Sequence, residues 1–136
     1  MNQTAAQTLP TATGTVLDQN DEQIVLHIPG TDYRLHLVPG QPLNAQVGQR
    51  ITGVISGRAR RVDIVPSGGR YIEPGFGRPR RVQGRIIGGD VAANTIHVHA
   101  GVPIIATLMP SQKAGDFAIG QLASFDLERG ATFQQV

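Results

Sequence analysis

The sequence predicts an all-β protein made of two tandem small barrels that arose by internal duplication. Three observations carry this expectation. Short apolar runs alternate with period two, Gly and Pro punctuate them at regular spacing, and the second half of the chain repeats the first.

The first half opens with Gly14-Thr15-Val16-Leu17, followed by Ile24-Val25-Leu26-His27-Ile28 and Tyr33-Arg34-Leu35-His36-Leu37-Val38-Pro39. Ile24, Leu26 and Ile28 share one face and oppose Val25 and His27, while Tyr33, Leu35 and Leu37 oppose Arg34 and His36. This is the pattern of a half-buried strand. Gly84-Arg85-Ile86-Ile87, Ile96-His97-Val98-His99-Ala100 and Ile104-Ile105-Ala106-Thr107-Leu108-Met109-Pro110 repeat the order in the second half. Val47-Gly48-Gln49 then matches Ile119-Gly120-Gln121, and Ile51-Thr52-Gly53-Val54-Ile55 matches Ala123-Ser124-Phe125-Asp126-Leu127. The offset drifts only from 70 to 72, the size of a loop insertion. Each half ends on a further apolar run, Val62-Asp63-Ile64-Val65 or Ala131-Thr132-Phe133. Pro29-Gly30, Pro39-Gly40, Gly88-Gly89 and Pro110-Ser111 fall between runs as turns. Helical turns are expected only around Ser111 to Phe117 and around Pro42 to Gln46.

These features divide the chain into a flexible tail (1–13), a first barrel (14–65), a linker (66–82) and a second barrel (83–136). The Gly and Pro content of 66–82 argues against a regular element, yet Tyr71, Ile72 and Phe76 suit docking on a barrel rather than solvation. A barrel of about 50 residues is marginal alone, so the halves are expected to pack together, with pseudo-twofold symmetry, or the chain to form a homo-oligomer.

Composition narrows the function. The 136 residues include no Cys, which excludes disulfides, thiolate metal sites and Cys nucleophiles together. No stretch approaches the ~18 consecutive apolar residues of a membrane span. Met1 to Thr13 lacks Lys, Arg and an apolar core of signal-peptide length, so a cytoplasmic protein with no membrane partner is expected.

The order of three strands, a short turn holding Val-Gly-Gln or Ile-Gly-Gln, and two further strands resembles the OB-like small barrels of the TOBE/Mop type. In length and tandem arrangement the chain is similar to the molbindins, whose resemblance implies binding of molybdate-like oxyanions. Ile105-Ala106-Thr107-Leu108 through Asp116-Phe117-Ala118-Ile119-Gly120 carries the better match. The Ser-Ala-Arg-Asn-like run before the first strand of such domains is replaced by Thr11-Ala12-Thr13 and Arg80-Arg81-Val82, so no oxyanion-binding residue carries over.

Charge is the most uneven feature. Between Arg58 and Arg85 lie eight arginines (Arg58, Arg60, Arg61, Arg70, Arg78, Arg80, Arg81 and Arg85) against Asp63 and Glu73, a net of +6. The rest of the chain carries −4. Guanidinium groups bind phosphate bidentately and stack on bases. Gly-Arg pairs interspersed with Tyr71 and Phe76 suit single-stranded RNA or DNA, the arginines neutralising phosphates and the two rings stacking on bases. The other use for these arginines is structural, as partners for acids of the other barrel or of another subunit.

His97 and His99 share a strand face, as Zn or Cu ligands can, but no third ligand follows at a supportive spacing, and no metal or cofactor is expected. Gly84-Arg85-Ile86-Ile87-Gly88-Gly89 precedes a strand rather than a helix and reads as a hairpin turn. Nucleophile-elbow, phosphate-loop and metalloprotease patterns are absent from the sequence. The expectation is a non-enzymatic binding protein for single-stranded nucleic acid. A small-oxyanion binder and a self-assembly or partner-docking module are the alternatives.

Overall fold

The structure is a computed structural model that describes residues 9–136. Most of the expected 1–13 tail therefore lies outside the described residues, and Ala12 and Thr13 already belong to the first strand. The described strands are β1 (Ala12–Gln19), β2 (Ile24–His27), β3 (Arg34–Pro39), β4 (Arg50–Arg58), β5 (Asp63–Val65) and β6 (Tyr71–Glu73). After them come β7 (Phe76–Gly77), β8 (Arg81–Asp90), β9 (Thr95–His99), β10 (Pro103–Thr107), β11 (Leu122–Asp126) and β12 (Thr132–Gln135). One 3-10 turn, Ala114–Asp116, falls inside the Ser111 to Phe117 segment where a turn is expected; Pro42 to Gln46 forms none. No helix of the described residues is long and apolar enough to cross a membrane.

The chain is all-β and contains a closed five-stranded barrel. Its circuit runs β1, β2, β3, β12, β4 and back to β1. Consecutive strands pair antiparallel around the β1–β2–β3 meander. The closing strand comes from the far end of the chain: β12 lies parallel to β3 and antiparallel to β4. Inward residues follow the alternation of the sequence. Val16, Ile24, Leu26, Leu35, Leu37, Ile55 and Phe133 are at most 1% exposed.

The remaining strands continue from β4. β10 runs parallel to its end (Ile105 opposite Ser56, Thr107 opposite Arg58), and β9, β8, β11 and β5 follow in order. Beyond β4 the chain bridges Ala59 to Leu127 and enters β5, which pairs with β11. One buried cluster runs from Val16 through Ile72 to Phe125 and Phe133, joining both halves and the segment between them.

Details of pairing recur. β1 and β2 slip register between Val16 and Asp18, and β8 and β9 between Ile86 and Gly88. The bulged residues Leu17 and Ile87 point outward, both about 40% exposed. Gly48 and Gly120 turn the chain at φ +92 and +95, a region that favours glycine. Their N–H groups donate to Val16 and Ile86, and Gln49 and Gln121 close each turn through their side-chain oxygens.

Two further expectations need correction. Gly84 to Gly89 is not a hairpin turn but the middle of β8; the reversal lies at Val91 to Asn94, capped by the Asp90 carboxylate. These glycines serve close approach instead. A β-carbon on Gly84 would collide with the His99 carbonyl and lie 2.9 Å from Val98, and one on Gly88 would press the His97 ring. The 66–82 segment, expected to hold no regular element, contains β6 and β7. Its backbone groups find partners on the open edges of β8 and β3. Tyr33 fixes its path, with the phenol donating to the Ala100 carbonyl (2.9 Å) and accepting from the Ile72 N–H (3.0 Å).

Candidate nucleic-acid interface

Register decides which arginines are free. Arg81 faces Asp126 across β8 and β11, donating to its carboxylate (3.0 Å) and to the buried Ser124 hydroxyl (2.8 Å). Arg58 lies 3.7 Å from Glu128, and Arg61 3.1 Å from Asp63. Arg85 donates to the Gly120 carbonyl and Arg70 to Nδ1 of His99. Nδ1 of His99 also accepts from the Gly101 N–H. Arg60 is exposed at the start of the turn into β5, its N–H held by the Asp126 carbonyl.

Arg78 and Arg80 behave differently. They follow β7, lie near enough to Arg129 of the β11–β12 connection for Arg78 to feel its charge, and make no ion pair among the described residues. Partial desolvation, then repulsion from Arg129 and Arg80, holds the Arg78 guanidinium below its ordinary pKa; it stays charged. The chain brings the three together by topology. β7 occupies the edge of β3 at Arg34 and Leu35, and β12 takes over the same edge at Val38.

Phe76 lies on β7, two residues before Arg78, and is 62% exposed. The Arg34 guanidinium lies over its ring at 5.4 Å, and His36 meets it edge-on at 5.6 Å. Tyr71 does not join it. That ring pairs with β8 and spends its hydroxyl on Gln83. The ten residues of the expected site are thus dispersed: Arg58, Arg61 and Arg81 in ion pairs, Arg60 at the turn into β5, Arg70, Tyr71 and Arg85 along β8 and β9, Phe76 on β7 at the β3 edge, and Arg78 and Arg80 in the segment that follows it. Arg34 and His36 lie on β3 against Phe76, and Arg129 lies near Arg78. The outward alternation of Arg34 and His36 marked them as a surface pair, whereas nothing in the sequence places Arg129 there.

His97 is buried, and its Nε2 has no hydrogen-bond partner among the described residues. Burial lowers its pKa, and Asp90 partly opposes the shift. Among the described residues no group of three or more His, Cys, Asp or Glu is placed to hold a metal. A cleft of about 560 Å³ lined by Gln19, Asn20, Asp21, Pro39 and Leu43 carries no basic side chain and is separate from the arginine edge. Compared with protein-family models, curated proteins and solved structures, the chain matches none.

Proposed function

We propose that the protein is a non-enzymatic binder of polyanions, with single-stranded nucleic acid as its ligand class, and that the β3 edge is its contact surface. The unpaired arginines Arg78, Arg80 and Arg129 carry this reading. Like charges held together without an acid cost stability, and a phosphate between them relieves the repulsion while gaining charge-assisted hydrogen bonds. Counterion release then makes affinity fall with salt in proportion to the phosphates neutralised. Fluorescence anisotropy of a labelled mixed-sequence single strand, as RNA and as DNA at two salt concentrations, tests it. Binding that weakens with salt, with a shallower slope in the Arg80→Glu/Arg129→Glu variant, is expected. No binding at low salt removes the proposal.

We also infer that the two halves descend from one duplicated OB-like unit of the TOBE/Mop kind whose fifth strands are exchanged. The paired register slips and the paired Gly-Gln turns support this reading, as does the placement of β12 against β3 and β4 and of β5 against β11.

A further inference from the structure

The chain has six aromatic side chains, and five are accounted for by packing or hydrogen bonding. Phe125 and Phe133 are fully buried, Phe117 and Tyr33 pack against the core, and Tyr71 is half-buried with its hydroxyl bonded to Gln83. Phe76 alone exposes more than half of its surface, although ring burial is the main gain a Phe offers. The exposed ring is nevertheless fixed. Its strand pairs with β3 in parallel, the Arg34 N–H donates to the Gly75 carbonyl at 2.7 Å, and both Arg34 and His36 bear on the ring. Arg34 covers one face of the ring and His36 meets it edge-on, leaving much of its surface to solvent.

We propose that Phe76 is a single-base platform: an unpaired nucleobase stacks on its open face while an adjoining phosphate is held by Arg78, Arg80 and Arg129. This deepens the polyanion reading and rests on it. The arginines alone would accept any polyanion, whereas the ring requires a ligand with a planar π-face. A base within a duplex has both faces covered by its neighbours, so the platform selects unpaired strands. Arg34 on one face of the ring helps hold its plane. The platform joins the first half of the chain, which supplies Arg34 and His36, to the connecting segment, which supplies Phe76, and to the second half, which supplies Arg129.

The test compares full-length protein binding to a mixed-sequence single strand and to an abasic sugar–phosphate oligomer of equal length, at low salt. Wild type should prefer the base-bearing strand by about tenfold, within the range of one base–aromatic stack. Phe76→Leu, which keeps an apolar side chain at an exposed position, should abolish that preference and leave the salt slope unchanged. Because the chain has no tryptophan, Phe76→Trp supplies an isolated fluorescent reporter that the base-bearing strand should quench and the abasic one should not. Equal binding of both oligomers by wild type, or a preference that survives Phe76→Leu, overturns the platform and leaves the polyanion reading standing. Failure to bind either oligomer overturns both.

Discussion

Gly53 of β4 lies directly against Phe133 of β12. A β-carbon at Gly53 would come within 2.5 Å of the ring's Cζ and collide with the Gln134 backbone. β12, which crosses from the C-terminus into the first meander, is therefore seated where a neighbouring side chain is absent, and Phe133 fills the barrel interior with no exposure. Phe133→Ala should cost about 3–5 kcal/mol through lost burial and the cavity left behind. Gly53→Ala should cost a comparable amount through strain. In guanidinium denaturation the double variant should lose less than the sum, because removing the ring relieves half of the clash. Full additivity would mean that the two residues do not meet.

Deletion of residues 131–136 removes β12 and leaves β3 and β4 with unpaired edges and an unfilled core. Asn44 and Gln135 exchange backbone–side-chain bonds across the same boundary, and Ser56 meets Thr132. The truncated chain should lose cooperative thermal unfolding, including the signal from Tyr33 in the first half. A melting temperature within a few degrees of the intact chain would show that the barrel closes without its last strand.

Tyr33→Phe removes one oxygen that serves two buried backbone groups, the Ile72 N–H and the Ala100 carbonyl. Leaving them unpaired should cost about 1–3 kcal/mol. The cost should be local: limited proteolysis between Gly68 and Gly75 should accelerate more than global unfolding does. Uniform acceleration would show that the 66–82 segment is held by its strand pairings alone.

Strand identity and facing were legible in the sequence, because alternation reports which side of a strand is buried. Ile24, Leu26, Leu35 and Leu37 all point inward as their spacing implies. Partnership was not legible. Period two is the same whichever neighbour a strand takes, so the parallel contacts of β12 with β3 and of β10 with β4 leave no local trace. The glycines misled for a related reason. At Gly84 the requirement is space for the His99 carbonyl, and a tight turn and a close approach demand the same residue. Counting arginines located an excess of charge, but the register of β8 against β11 gives Arg81 its acid, and chain topology brings Arg129 to Arg78. Both depend on residues more than 40 positions apart.

His97 predicts a pH dependence. Its folded pKa lies below the ordinary 6.5, burial being the main cause and Asp90 a partial offset. Between the two values the unfolded chain binds a proton that the folded chain rejects, so stability rises with pH through that window and is lost as pH falls. The buried, unpartnered Nε2 means that a proton added there finds no acceptor in the fold. Urea midpoints should therefore decline from pH 7 to 5 in wild type, and His97→Leu should flatten the decline. An unchanged slope in the variant would assign the acid sensitivity to other groups.

The division between paired and unpaired arginines predicts opposite phenotypes for two neighbours in sequence. Arg81 sits between Asp126 and Ser124, the latter 1% exposed, so Arg81→Gln leaves a buried hydroxyl short of a donor. Its guanidinium is partly exposed and the ion pair itself is screened, so a loss of about 1 kcal/mol is expected, with nucleic-acid affinity nearly unchanged. Arg80 is exposed, makes no ion pair among the described residues, and repels Arg78. Arg80→Gln should leave the melting temperature unchanged or slightly raised, weaken binding of a single strand, and reduce the salt slope by about one phosphate. Were Arg81→Gln to weaken binding as much as Arg80→Gln, the contact surface would extend along β8 and β11 and would not be confined to the β3 edge.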